Sequence, residues 1–118
     1  MHWRSEHGQT DAQVKFQRVG DIAGTSLQGY APFSYARIVE VFGEPDPTPW
    51  DGDSAFTWRI TFEDGTVASI YDYKDSSVYD ERLPSPEQMK RDFMMWHIGG
   101  KGWPAVQHVI QALSWWTR

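Results

Sequence analysis

The sequence predicts an α+β domain, a small antiparallel sheet built on a central hairpin (residues 56–73) and flanked by two or three helices. Three observations carry that expectation. FTWRITF alternates apolar and polar residues at period two and is followed, across Glu63-Asp64-Gly65, by a return run that ends near Tyr73. SYARIVEVF repeats apolar residues at helical spacing and is stopped by Gly43-Glu44-Pro45. Ser85-Pro86-Glu87-Gln88 has the form of a capped helix start.

From the N-terminus, MHWRSEHGQTD is polar and unpatterned, so residues 1–12 are expected to form a mobile arm and 13–118 a single domain. AQVKFQRV sets Val14 and Phe16 on one face of a first strand, and GTSLQGY, bracketed by Gly24 and Gly29, reads as a short extended or hairpin element. Ser34 is the N-cap of the first helix, with Phe33 and Ile38 spaced as a hydrophobic staple. Tyr35, Ile38, Val39 and Phe42 form the stripe that this helix buries. The loop EPDPTPWDGD holds three prolines and continues neither a helix nor an inner strand. Its Trp50 either folds back as a lid or serves as a recognition anchor.

Two registers are open to the hairpin. A two-residue turn at Asp64-Gly65 places Val67, Ser69, Tyr71 and Tyr73 under Phe56, Trp58, Ile60 and Phe62. A three-residue loop with Gly65 at positive φ places Ala68 and Ile70 there instead. The second is favoured, because it sets small and aliphatic residues under an aromatic row and leaves Val67, Tyr71 and Tyr73 on the opposite face with Arg59. Beyond Ser85 a helix is expected to carry Met89, Phe93 and Trp96 on one side and to end at WHIGG, which makes His97 a surface or capping residue. In the last helix Val106, Val109, Ile110, Leu113 and Trp116 form the buried stripe, and Trp115 lies on the far side with His108 and Ala112.

Composition narrows the function classes. The 118-residue chain has no cysteine, which removes disulfides, thiolate metal sites and a cysteine nucleophile, and fits a reducing compartment. No apolar run approaches the roughly 18 residues of a membrane span and no signal-peptide core precedes the domain, so a cytoplasmic, soluble protein is expected. Net charge is −5, but between Glu40 and Glu81 eleven acids face only Arg59 and Lys74, a local balance of −9. That acidic centre disfavours direct nucleic-acid binding and suits a partner with a basic surface. No phosphate loop, nucleophile elbow or paired histidines at metal spacing occur, and Asp51 and Asp53 lack the rest of a calcium loop. Catalytic residues, metal and cofactor are accordingly expected to be none.

GTSLQGY, ARIVEVFGEPD, WRITFEDGTVASIYDYK and WHIGG together resemble a family of small, mostly uncharacterised bacteriophage and prophage proteins, over roughly Gly24 to Gly100. The combination FEDGTVASIYDYK…WHIGG is its specific part. The resemblance implies a phage setting and a helix-flanked antiparallel sheet, and it brings no active site. Seven tryptophans in a chain this short exceed what one core takes up. The expected function is therefore a phage-encoded, non-enzymatic protein that binds and inhibits a host protein. The phage setting, and that alone, makes a CRISPR or similar defence system the target class. Trp50, Arg59, Tyr71, Tyr73, Trp96, His97 and Trp115 are the candidate partner-binding residues, and the Trp-rich C-terminal helix alternatively makes a homodimer contact. The competing reading is a small-ligand or nucleotide-binding domain, in which aromatic rings stack a base and Arg59, Lys74 or Lys101 meets phosphate.

Overall fold

A computed structural model describes residues 4–5, 15–50 and 52–115, with the backbone alone for Arg4, Ser5 and Trp115. The chain order is β1 (Arg4–Ser5), β2 (Lys15–Gln17), β3 (Ser26–Ser34), α1 (Tyr35–Phe42), β4 (Thr57–Phe62), β5 (Val67–Tyr71), α2 (Pro86–Met89), β6 (Phe93–Gly100) and α3 (Trp103–Trp115). The strands form one six-stranded sheet in the order β1-β2-β4-β5-β6-β3, and every neighbouring pair is antiparallel. This is the small α+β fold expected. Arg4 and Ser5 pair with Phe16 and Lys15, so part of the segment expected as an arm joins the sheet. Val14 lies outside the described residues.

The hairpin takes the favoured register. Ile60 pairs with Ala68 and Trp58 with Ile70, while Gly65 sits at φ 91°, a conformation that costs glycine little. Phe62 donates its N–H to the Thr66 carbonyl and accepts from Gly65, which closes the three-residue loop. Strand β5 ends at Tyr71, two residues before the expected end, because Asp72 turns inward to bind another loop. Helix α1 is capped as expected: Ser34 Oγ accepts from the Arg37 N–H, and Gly43 N–H donates to the Val39 carbonyl. Its buried stripe is Ile38, Val41 and Phe42, with Tyr35 and Val39 partly covered.

The segment after Ser85 departs from expectation. The capping box forms, with Ser85 Oγ accepting from Gln88 N–H and Gln88 Oε1 accepting from Ser85 N–H. The helix nevertheless stops after one turn, and Phe93–Gly100 is a strand between β5 and β3. WHIGG is thus the end of a central strand, not of a helix, and His97 is no cap. Met94, Trp96 and Ile98 point into the core while Phe93, Met95 and His97 point the other way, so the run also satisfies period two. The period-two arrangement fills an otherwise empty slot between two strands, and one turn of helix cannot compete with that. The double glycine serves close approach: a Cβ on Gly100 would collide with Ala105 Cβ at the start of α3.

One face of the sheet is covered. Helix α3 lies across β3, β5 and β6 and touches α1, burying Ala105, Val106, Val109, Ala112 and Leu113 against Trp58, Ile60, Ile70, Trp96 and Ile98. Ala112, expected on the far side of α3, belongs to this core, whereas Ile110 is only partly buried. Trp116 lies outside the described residues.

Candidate functional site

Strand alternation sends every second side chain to the face that no helix among the described residues covers. There β5 contributes Ser69 and Tyr71, β6 contributes Met95, His97 and Gly99, and β3 contributes Leu27 and Tyr30 opposite Gly99 and His97. A cleft of about 550 Å³ opens on this face. Its floor holds Ser69, Tyr71, His97 and Gly99, and its walls include Tyr30, Trp50 and Tyr73, together with Ile22, Thr25, Ser26 and Leu27.

The rings are packed around the histidine. His97 stacks on Tyr71 with centroids 5.3 Å apart, and makes T-shaped contacts with Tyr30 at 5.0 Å and Tyr73 at 6.2 Å. Trp50 packs edge-on against Tyr71 at 5.1 Å. Tyr71 and His97 are largely covered, whereas Tyr30, Trp50 and Tyr73 keep 49%, 38% and 38% of their surface in solvent. The fixed inner pair therefore supports three rings with free area. Gly99 keeps the floor open, since a Cβ there would stand 2.5 Å from Ser69 Oγ and 3.3 Å from Tyr71 Cε1.

The Tyr73-Lys74-Asp75 turn forms one rim and is anchored from below. Asp72 is fully buried, and its carboxylate accepts from the N–H groups of Ala55 at 3.0 Å and Phe56 at 2.8 Å. Burial pushes its carboxyl above the usual range, against the opposing pull of these backbone donors. Asp75 N–H donates to the Asp72 carbonyl, and Lys74 N–H to that of Asp53, which ties the turn to the loop carrying Trp50. Lys74 takes φ 61°, a strained value for a residue with a side chain. Its ammonium lies 4.9 Å from the Tyr73 ring centre and 5.1 Å from that of Tyr79. Asp75 Oδ2 is 3.6 Å from His97 Nδ1, beyond hydrogen-bond range, and that buried nitrogen has no hydrogen-bond partner among the described residues. The Asp75 carboxyl is also raised by partial burial, with His97 pulling the other way.

Four of the seven residues expected at a partner surface meet here: Trp50, Tyr71, Tyr73 and His97. Arg59 shares the face but is held 3.3 Å from Asp46, whose carboxylate also takes Arg18 at 3.1 Å and Thr57 Oγ1. Trp96 is displaced from the candidate surface. It is fully buried, packs edge-on against Trp58 at 5.5 Å and donates Nε1–H to the Phe33 carbonyl, because strand parity turns it away from His97. The Trp115 side chain lies outside the described residues. The acidic excess is also partly answered within the chain, with Asp46 paired and Asp72 buried, and with the exposed Asp64 bound to His108 at 2.7 Å.

Sequence reasoning missed Tyr30, Leu27 and Gly99 in the cleft, and with them Ile22, Thr25, Ser26 and Ser69. A bulge between Leu27 and Gly29 shifts the phase of β3, so Leu27 and Tyr30 share a face although three positions apart. The glycine bracketing of that segment was the available signal. Among known proteins, no family model matches this chain and no curated protein is significantly similar to it.

Proposed function

We propose that this chain is a non-enzymatic binding protein whose open sheet face docks on a host protein and blocks it. The observation that carries the reading is the gathering of Tyr30, Trp50, Tyr71, Tyr73 and His97 on the uncovered face, three of them with free ring area. The apolar surface extends along β6 through Met95 and Phe93, which is 71% exposed. Contiguous aromatic and apolar exposure of this kind marks interaction surfaces, and buried aromatic anchors dominate their energetics. The phage resemblance of FEDGTVASIYDYK…WHIGG supplies the setting and makes a defence factor, such as a CRISPR component or a nuclease, the target class.

The test is quantitative capture from nuclease-treated host lysate with the tagged protein and its Trp50→Ala/Tyr73→Ala variant. One host protein retained near equal stoichiometry by the parent and lost by a folded variant supports the reading; retention indifferent to both substitutions removes this face from it. A second reading, a small-ligand domain, is favoured by the cleft volume of about 550 Å³, within the range of small-molecule sites. It expects a higher melting temperature with a nucleotide or another planar ligand, and a flat panel counts against it.

A further inference from the structure

We infer that the cleft between Tyr30, Trp50 and Tyr73 receives an arginine side chain from the partner's surface. The inference rests on the protein-binding reading and supplies the chemistry of its anchor. The walls offer aromatic rings with free area, and the faces of such rings carry the negative side of the quadrupole and attract a guanidinium or ammonium group. None of the described lining residues is a lysine or arginine, so the lining sets no permanent positive charge before a phosphate or carboxylate.

The rim has the matching sign. The Asp75 carboxylate is about half exposed beside His97, and Asp53 is joined to the same turn through the Lys74 N–H. Both belong to the stretch from Glu40 to Glu81 with its local balance of −9. The chain itself displays the chemistry at this rim. Lys74 does not reach into the cleft as a counter-ion but lays its ammonium against Tyr73 and Tyr79. An aromatic surface bordered by carboxylates has thus already taken up the one cation its own turn provides, and Tyr30 and Trp50 keep free ring area for a second. Arginine suits the inner position better than lysine. Its planar guanidinium stacks on tyrosine and tryptophan, is weakly hydrated, and keeps N–H donors at its edge for Asp75.

The experiment is an amide- and indole-detected NMR titration of the full chain with the blocked peptide acetyl-Gly-Arg-Gly-amide. Its citrulline counterpart has nearly the same shape without charge, and AMP serves as the third probe. The arginine peptide is expected to shift the Gly99 amide and Trp50 indole signals saturably and to bind about five-fold more tightly than the citrulline peptide. Asp75→Asn and Tyr73→Leu should each weaken it several-fold, with unchanged circular dichroism, and added salt should narrow the arginine–citrulline gap. Equal binding of the two peptides, tighter binding of AMP, or no shift with any probe overturns the inference. These outcomes separate from the fate of the function itself. If citrulline equals arginine while Trp50→Ala still releases the captured host protein, the docking face stands and the cationic anchor falls. If the arginine peptide binds as expected while no host protein is captured, the anchor chemistry stands and the inhibitor reading falls.

Discussion

The two faces of the sheet are both rich in aromatic residues, yet they do opposite work. On the covered face Trp58, Trp96, Phe62 and Phe42 are fully or almost fully enclosed, with Trp96 and Trp58 crossing edge to face at 5.5 Å. On the open face Tyr30, Trp50 and Tyr73 rest on a largely covered Tyr71–His97 stack and keep much of their ring area in water. Neighbours on one strand, Trp96 and His97, go to different faces by parity alone. Residue type therefore does not assign an aromatic to core or surface; strand phase and helix cover do.

The largest effect that tests this contrast is expected from Trp96→Ala. The substitution empties a fully enclosed site and leaves the Phe33 carbonyl without its indole donor, so a loss of about 3–5 kcal/mol is expected in denaturant unfolding. A loss below about 1 kcal/mol would mean that Trp96 is not a core residue and that the parity of β6 is reversed.

The hairpin was legible because its determinants are local: alternation in FTWRITF and a glycine where the loop needs positive φ. Helix α1 was legible for the same reason, through Ser34 and Gly43. Strand β6 was not. Its capping box is real, and Met89, Phe93 and Trp96 fit a helical face, but what decides the segment is pairing with β3 and β5, partners 59–74 and 26–32 residues away in sequence. The site followed the same division. Tyr71 and Tyr73 were visible from the hairpin register, and Trp50 from its polar loop. Tyr30 was hidden by a bulge, Trp96 was misplaced by the helix reading, and His97 reached the cleft only because that reading failed.

A smaller effect probes how closely the covered face is packed. Gly100→Ala adds a Cβ that collides with Ala105 at the start of α3, so about 1–3 kcal/mol of destabilisation is expected, read as a lower melting temperature. Gly24→Ala is the comparison for backbone conformation. Gly24 has positive φ but open space around its Cβ, so its cost, about 1 kcal/mol, comes from strain alone.

Next in size is a pH effect at the end of the hairpin. Asp64 bonds to the N–H of Thr66 and to His108, and its carboxyl is held down to about 2, with the Thr66 hydrogen bonds the larger cause. A carboxyl lowered by folding adds stability that is complete above its unfolded value and is lost as the pH falls through the folded one. The contribution should therefore be whole above about pH 4 and fade towards pH 2. Because the group is mostly in solvent, the measurable part is below about 1 kcal/mol. Asp64→Asn should flatten the parent's slope over that interval in urea unfolding at low salt; an unchanged slope would assign it to other carboxylates.

The smallest expected effect on stability is at Tyr73, and its smallness is what separates the two faces. Tyr73 makes a T-shaped contact with His97 at 6.2 Å and carries Lys74 against its ring, and it keeps 38% of its surface in water. Truncating it gives up only partial burial and no hydrogen bond from the sheet, so Tyr73→Ala should cost about 0.5–1 kcal/mol, several-fold below Trp96→Ala. A ring retained for packing would show its loss in the unfolding curve, whereas a ring held for a partner shows it in binding. If Tyr73→Ala unfolds as readily as Trp96→Ala, the open face is a second core that awaits no partner. A near-native unfolding curve with loss of the captured host protein would leave recognition as the reason the ring is there.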